Sequence, residues 1–155
     1  MRGLTEVGIY RVSGSEKDIK ALKERFIRGK TIPCLANIDV HVLCGCIKDF
    51  LRNLREPLIP TALWREFSNA AQNISDSESM RELYVAINNL TSANRDTLAF
   101  LMQHFLRVAN IVEIKMPKVN IAKIFGPTIV GYSSADPDTH AIYTETTIQA
   151  KVNEF

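Results

Sequence analysis

Most of the features by which a sequence announces chemistry of its own are missing from these 155 residues. Three cysteines are too few, and of the wrong parity, for a disulfide scaffold; they read as reduced intracellular thiols. Cys34, His41, Cys44 and Cys46 stand close together, but their spacing matches no structural zinc pattern. The three thiols read instead as buried small apolar residues, and no metal is expected. No apolar run approaches the ~18 residues of a membrane span. The stretch Ile124 to Ala135, as long as any without charge, is broken by Gly126, Pro127 and Gly131. A secretory leader is not expected either, since Arg2 is followed by Gly3 and a mixed segment.

Catalytic motifs are equally scarce. There is no Gly-x4-Gly-Lys-Ser/Thr loop and no Gly-x-Gly-x-x-Gly, which excludes nucleotide binding in those two ways. No Gly-x-Ser-x-Gly elbow and no His-Glu-x-x-His pair occurs. His41, His104 and His140 are far apart, and His104 reads as a packed or surface residue of a long helix. Asp136 and Asp138 fall in a polar loop and read as solvated. A self-contained hydrolase or redox enzyme is therefore not expected, nor a cofactor. Any chemistry here would use an arginine or lysine acting on a partner.

Net charge is only +2, which argues against bulk nucleic-acid binding. The charge is uneven, however. Residues 1–60 hold 11 Lys or Arg against 7 Asp or Glu, and residues 61–155 hold 8 against 10. A basic front half suits an acidic or phosphate-bearing partner, although an uneven solvated surface would look the same.

What the chain does have is helical periodicity. Ser13 or Ser15 can cap a helix running to Arg28, with Ile19, Leu22, Phe26 and Ile27 as its stripe and Gly29 as its stop. Asp39 can cap a second helix to about Leu54, striped by Leu43, Ile47, Phe50, Leu51 and Leu54. A third spans about Thr61 to Gln72, with Leu63, Phe67, Ala70 and Ala71 inward. A fourth follows Ser75, with Met80, Leu83, Tyr84, Ile87 and Leu90 inward. The fifth runs from about Ser92 to Val112, striped by Leu98, Leu101, Met102, Phe105 and Val112. A short sixth starts near Pro117 and should end before Gly126-Pro127. From Thr146 only part of a helix is expected. Ile9 to Val12, between Gly8 and Gly14, reads as an ordered loop. The fold class is all-α, a single-domain bundle of about seven helices.

Three sets of residues could meet a partner. Arg11 sits in the glycine-bracketed loop beside Ile9, Tyr10 and Val12, which can root the loop while the guanidinium points outward. Arginine suits phosphate because its planar fork matches the oxygens and its charge is permanent. Loop arginines are also commonly just solvated. Lys48 and Arg52 share a helix face at i, i+4, with Arg55 three residues on. They form either a basic ridge for an acidic surface or a solvated face beside Asp49 and Glu56. Asn120 lies in an apolar helical pattern, where its amide faces water, satisfies a buried group or binds a partner.

Three segments resemble a known family. The stretch Gly3-Leu4-Thr5-Glu6-Val7-Gly8-Ile9-Tyr10-Arg11-Val12-Ser13-Gly14 resembles the arginine-finger loop of Rho-family GTPase-activating (RhoGAP) domains. Ile47-Lys48-Asp49-Phe50-Leu51-Arg52-Asn53-Leu54-Arg55-Glu56-Pro57-Leu58 resembles their second signature, and Asn120-Ile121-Ala122-Lys123-Ile124-Phe125-Gly126-Pro127-Thr128 their third. The resemblance covers nearly the whole chain. It implies that Arg11 is the catalytic arginine, inserted in trans into the nucleotide site of a Rho-family GTPase (Rac, Cdc42 or Rho) in its GTP-bound form. It implies that Lys48 and Arg52 support that loop and touch the GTPase, and that Asn120 and Pro127 lie on the same contact surface.

GTP and magnesium would belong to the partner, and this domain would be a monomeric activator rather than an enzyme, without nucleic acid or membrane insertion. The resemblance also implies a helix before the loop that is absent here and a last helix that stops early. Residues 3–153 would form the domain, with 1–2 and 154–155 as vector-derived ends. Thr5 to Arg11 and Ala93 to Met102 resemble most a family member that works in cytokinesis; many others have Glu where this chain has Val7. That implies a role in cytokinesis and actin control, in the cytoplasm and at the spindle midzone, midbody and cell cortex. A non-catalytic GTPase-binding module, or a helical adaptor with no GTPase partner, are the alternatives.

Overall fold

Side-chain caps mark the starts of four helices; one cap is Asp138, whose Oδ1 accepts from the Ala141 N–H at 2.7 Å ahead of the last helix. Ser15 Oγ accepts from the Asp18 N–H at 3.4 Å, Asp39 Oδ1 from the His41 and Val42 N–H groups at 2.7 and 3.3 Å, and Thr91 Oγ1 from the Asn94 N–H at 3.3 Å. Each satisfies N–H groups that have no partner inside the helix. The computed structural model describes residues 6–29, 31–73 and 75–152. Among them are seven α-helices and no strand: α1 (Glu16–Arg28), α2 (Val40–Arg52), α3 (Trp64–Gln72), α4 (Asp76–Asn88), α5 (Ser92–Ala109), α6 (Lys118–Ile129) and α7 (Thr139–Val152). Short 3-10 turns at Thr61–Leu63 and Val112–Ile114 precede α3 and follow α5. The domain limits expected at 3 and 153, and the flanking residues 1–2 and 154–155, lie outside the described residues.

Helix α6 is the hub. It packs against α2, α5 and α7, while α3 packs on α4 and α7 and α1 lies along α2. Phe67, Phe105, Ile114, Phe125, Ile129 and Val130 fill the core, and the loop before α1 contributes Ile9 and Tyr10 to it.

Several expectations need correction. Helix α6 does not stop before Gly126-Pro127 but runs through both to Ile129. Proline removes one hydrogen bond and crowds the preceding turn. Burial of Phe125, Gly126, Thr128 and Ile129 outweighs that, and the Ile129 carbonyl at the helix end accepts from the Ile59 N–H at 2.9 Å. Gly126 faces α7 closely: a Cβ there would lie 3.1 Å from that of Gln149. Helix α7 begins at Thr139, about two turns before the partial helix expected from Thr146. The buried Glu145 carboxylate ties it back, accepting from the Ser133 N–H at 2.9 Å and the Ser133 hydroxyl at 2.5 Å.

The apolar stripes are also narrower than their patterns suggest. Phe26, Ile27, Phe50, Met80, Tyr84 and Val112 are exposed, and Cys34 is exposed rather than buried, unlike Cys44. On α4 the inward place beside Leu83 is taken by Ser79, whose hydroxyl donates to the Ala70 carbonyl at 2.6 Å.

Candidate functional site

The loop before α1 is built on two left-handed residues. Gly8 has φ 74° and Tyr10 φ 68°. Glycine takes that conformation freely, whereas a residue with a Cβ resists it by about 1–2 kcal/mol. The loop closes on itself, with the Arg11 and Val12 N–H groups both donating to the Gly8 carbonyl at 2.9 Å. It is fastened to the bundle by the Gly8 N–H, which donates to the Ile114 carbonyl at 2.8 Å.

Tyr10 holds its unfavourable conformation because everything around it is fixed. Its side chain is 3% exposed. The ring meets Phe125 of α6 edge-on at 5.0 Å and Phe105 of α5 at 5.8 Å, a favoured aromatic geometry. Its hydroxyl lies 2.6 Å from His104 Nε2 on α5. Its carbonyl accepts a 2.7 Å hydrogen bond from Lys48 Nζ on α2. The Cys44 thiol, one turn before Lys48, faces the Tyr10 backbone, and its burial pushes it above the usual thiol range. Burial likewise raises the Tyr10 phenol, so it stays protonated and can donate. Burial lowers His104, with the nearby Arg107 charge adding to the effect, which favours the neutral imidazole.

Arg11 follows Tyr10 and points the other way. It is exposed and forms no ion pair among the described residues. Its guanidinium lies over Gly8, where a Cβ would come within 3.2 Å of the terminal nitrogen. A fixed root and a free cationic tip are thus separated by one peptide bond.

Lys48 and Arg52 lie on the same side of α2 as the loop. Burial, and then the Arg52 charge, pull the Lys48 ammonium below the usual lysine range. Both line a cleft of about 490 Å³ between α1 and α2 that also receives Ser13, Gly14 and Lys23. Inside it, where Glu16 and Lys20 also lie, Lys23 pairs with Asp49 at 2.6 Å, while Lys48 and Arg52 form no ion pair among the described residues.

Asn120 and Pro127 lie two turns apart on the outer face of α6, with exposed Lys123 between them. The Asn120 side chain is half-buried and makes no hydrogen bond among the described residues, so satisfying a buried group is not its role here. Lys48 joins the loop through the Tyr10 carbonyl, the residue before Arg11, and Arg52 shares with Ser13 and Gly14 of the loop the cleft that Lys48 lines. The contacts of the loop reach the Asn120–Pro127 face only through α6, whose Phe125 carries the Tyr10 ring. Of the three neighbours expected to root the loop, Ile9 and Tyr10 are buried but Val12 is exposed, and sequence reasoning missed the pairing of Tyr10 with His104. The available signal was weak: an aromatic next to the loop arginine, and a histidine flanking the Leu98-Leu101-Phe105 stripe.

Relatives carry the same architecture. Residues 1–134 match the RhoGAP domain family. Mouse Rac GTPase-activating protein 1 is 46% identical over 154 residues, 99% of this chain and 24% of that protein. Human breakpoint cluster region protein is 38% identical over 135 residues, 83% of this chain and 10% of that protein. The chain therefore spans a quarter or less of the length of these relatives. Among solved structures, the BH domain from GRAF, the GTPase regulator associated with focal adhesion kinase, superposes with a TM-score of 0.87 at 28% identity, covering 99% of this chain and 81% of that one. Human Rho GTPase activating protein 15 does so with a TM-score of 0.91 at 27% identity, covering 99% and 72%. With a rooted loop arginine beside a basic helix face, and a family match over most of its length, the chain belongs to the RhoGAP domain family.

Proposed function

We propose that this domain accelerates GTP hydrolysis by a Rho-family GTPase in its GTP-bound form, with Arg11 as the catalytic residue supplied in trans. The observation that carries the reading is the pairing of an exposed Arg11 with a locked neighbour: Tyr10 is buried, and Lys48 holds its carbonyl at 2.7 Å. The GTPase supplies GTP, magnesium and the attacking water. What it lacks is positive charge where negative charge develops on the transferring phosphoryl group. A guanidinium delivered there stabilises the transition state more than the ground state, which is the condition for acceleration. Fingers of this kind are worth about 10³- to 10⁵-fold, or roughly 4–7 kcal/mol of barrier.

Lys48 acts twice, bracing the loop and, with Arg52, adding positive charge for an acidic partner surface. Asn120 and Pro127 extend the contact along α6. The domain acts as a monomer and holds no cofactor of its own. A role in cytokinesis follows from the similarity to Rac GTPase-activating protein 1 and is part of the same proposal.

Single-turnover GTP hydrolysis by Rac, Cdc42 and Rho, with and without the domain, tests the reading. Acceleration lost in Arg11→Ala supports it. A parent domain that binds the GTPases yet leaves hydrolysis unchanged would make this a docking module on the same fold. Failure to bind any of them in the GTP or transition-state-analogue form would leave a helical adaptor.

A further inference from the structure

We infer that His104, in the middle of α5, is a positioning residue for Arg11, acting through its hydrogen bond to the buried hydroxyl of Tyr10. The inference rests on the reading of Arg11 as the catalytic group. It goes beyond it by assigning a role to a histidine that lies outside all three family-like segments.

Tyr10 is gripped at its two ends by two different helices. Lys48 from α2 holds the carbonyl, 38 residues away in sequence, and His104 from α5 holds the hydroxyl, 94 residues away. Between those ends the ring is confined edge-on by Phe105 and Phe125. The next peptide carries Arg11, so the direction in which the guanidinium leaves the loop depends on the Tyr10 backbone. That backbone sits at φ 68°, from which a non-glycine residue relaxes when its supports are removed. Apolar packing alone centres a ring but leaves it free to slide along its long axis. A directional bond at the para position removes that freedom. A catalytic arm misplaced by about 1 Å can lose roughly 100-fold in rate.

Either tautomer of His104 serves. Nε2 accepts from the tyrosine hydroxyl when the proton is on Nδ1, and donates to it otherwise. Glutamine can take either part, and leucine neither.

Two readouts test this. In the first, single-turnover hydrolysis is measured over a range of domain concentrations. His104→Leu and Tyr10→Phe are each expected to lower the saturating rate about tenfold, with half-saturation moved less than twofold, and His104→Gln to stay within about threefold of the parent. The double variant Tyr10→Phe/His104→Leu should fall no further than either single one, because both break the same bond. In the second, amide hydrogen exchange is followed in the free domain. Arg11 and Val12 should exchange at least tenfold faster in His104→Leu but not in His104→Gln, while α2 amides stay unchanged as the check on folding.

Unchanged exchange at Arg11 and Val12 overturns the inference whatever the GTPase data say. So does a loss confined to half-saturation, a glutamine variant as slow as leucine, or additive losses in the double variant. A parent domain that accelerates no GTPase defeats the functional reading instead, and the exchange experiment then decides alone whether His104 anchors the loop.

Discussion

Lys48 on α2 donates a 2.7 Å hydrogen bond to the carbonyl of Tyr10, the residue before Arg11. Support of the loop and presentation of positive charge therefore meet in one ammonium group. Lys48→Met keeps the aliphatic stem and removes the donor. Hydrogen bonds from charged groups contribute about 1.5–3 kcal/mol. If that support is felt fully in the positioned arm, the saturating rate falls roughly 10- to 100-fold. Stopped-flow hydrolysis on the variant, with circular dichroism to confirm its fold, measures it.

Arg11 itself carries no fold. It is exposed and unpaired among the described residues, so Arg11→Ala should shift unfolding by no more than about 0.5 kcal/mol. The same variant should bind the GTPase with little loss and forfeit about 10³-fold or more of the acceleration. Arg11→Lys should also fail largely, because an ammonium lacks the planar fork. Urea denaturation, a binding titration and a hydrolysis assay on one preparation check all three.

Gly8 is required for two separate reasons. Its φ of 74° disfavours any side chain, and a Cβ would press on the Arg11 guanidinium at 3.2 Å. Gly8→Ala should lower stability by about 1–2 kcal/mol. It should also reduce acceleration, unlike a substitution of the same stability cost remote from the loop. Parallel urea and hydrolysis measurements separate the two effects.

Asp39 anchors the start of the helix that bears Lys48 and Arg52, accepting from two N–H groups. Asp39→Ala should cost about 0.5–2 kcal/mol. In a domain of this size that is a fall of a few degrees in Tm, since 1 kcal/mol corresponds to about 2–4 °C. Calorimetry reads it directly.

Acid should destabilise the domain through His104. Burial, and then Arg107, lower its pKa below the ordinary 6.5. Tyr10 faces it from the loop, and the rings of Phe105 and Phe125 close around that tyrosine. Between the folded and unfolded values the unfolded chain binds more protons, so stability rises with pH there. The contribution is complete above about 6.5 and is lost as pH falls through the lower folded value. Protonated His104 can still donate to the Tyr10 oxygen, but its charge remains poorly solvated. Relative to His104→Gln, the parent should lose stability between pH 7 and pH 5; parallel curves in urea would overturn the assignment.

Local physics made much of the helical frame readable. Ser15, Asp39 and Thr91 cap by side-chain hydrogen bonds within three residues, and Gly29 ends α1 close to where its pattern stops. Errors arose where distant contacts override local preference. Pro127 should end α6, but the core and α7 carry the helix past it. Phe50 and Tyr84 obey helical spacing yet face outward, because periodicity marks a stripe without saying how much of it is covered. At the site, Arg11 stood out as a cation between glycines, and Lys48 and Arg52 as a shared face. The left-handed Tyr10 and its partnership with His104 could not be read, because that contact spans 94 residues and His104 belongs to no motif. Asn120 remained open among three roles, and its side chain now leaves two, water or a partner.

Inward-facing Tyr10 and outward-facing Arg11 are adjacent, yet their duties do not overlap. Loss of the cation would leave the platform and its docking face standing. On the function proposed for Arg11, a change of one codon would turn an off-switch for a GTPase into a decoy that occupies it, shielding the active form instead of extinguishing it. Descendants of such a fold can trade catalysis for sequestration without passing through an unfolded ancestor.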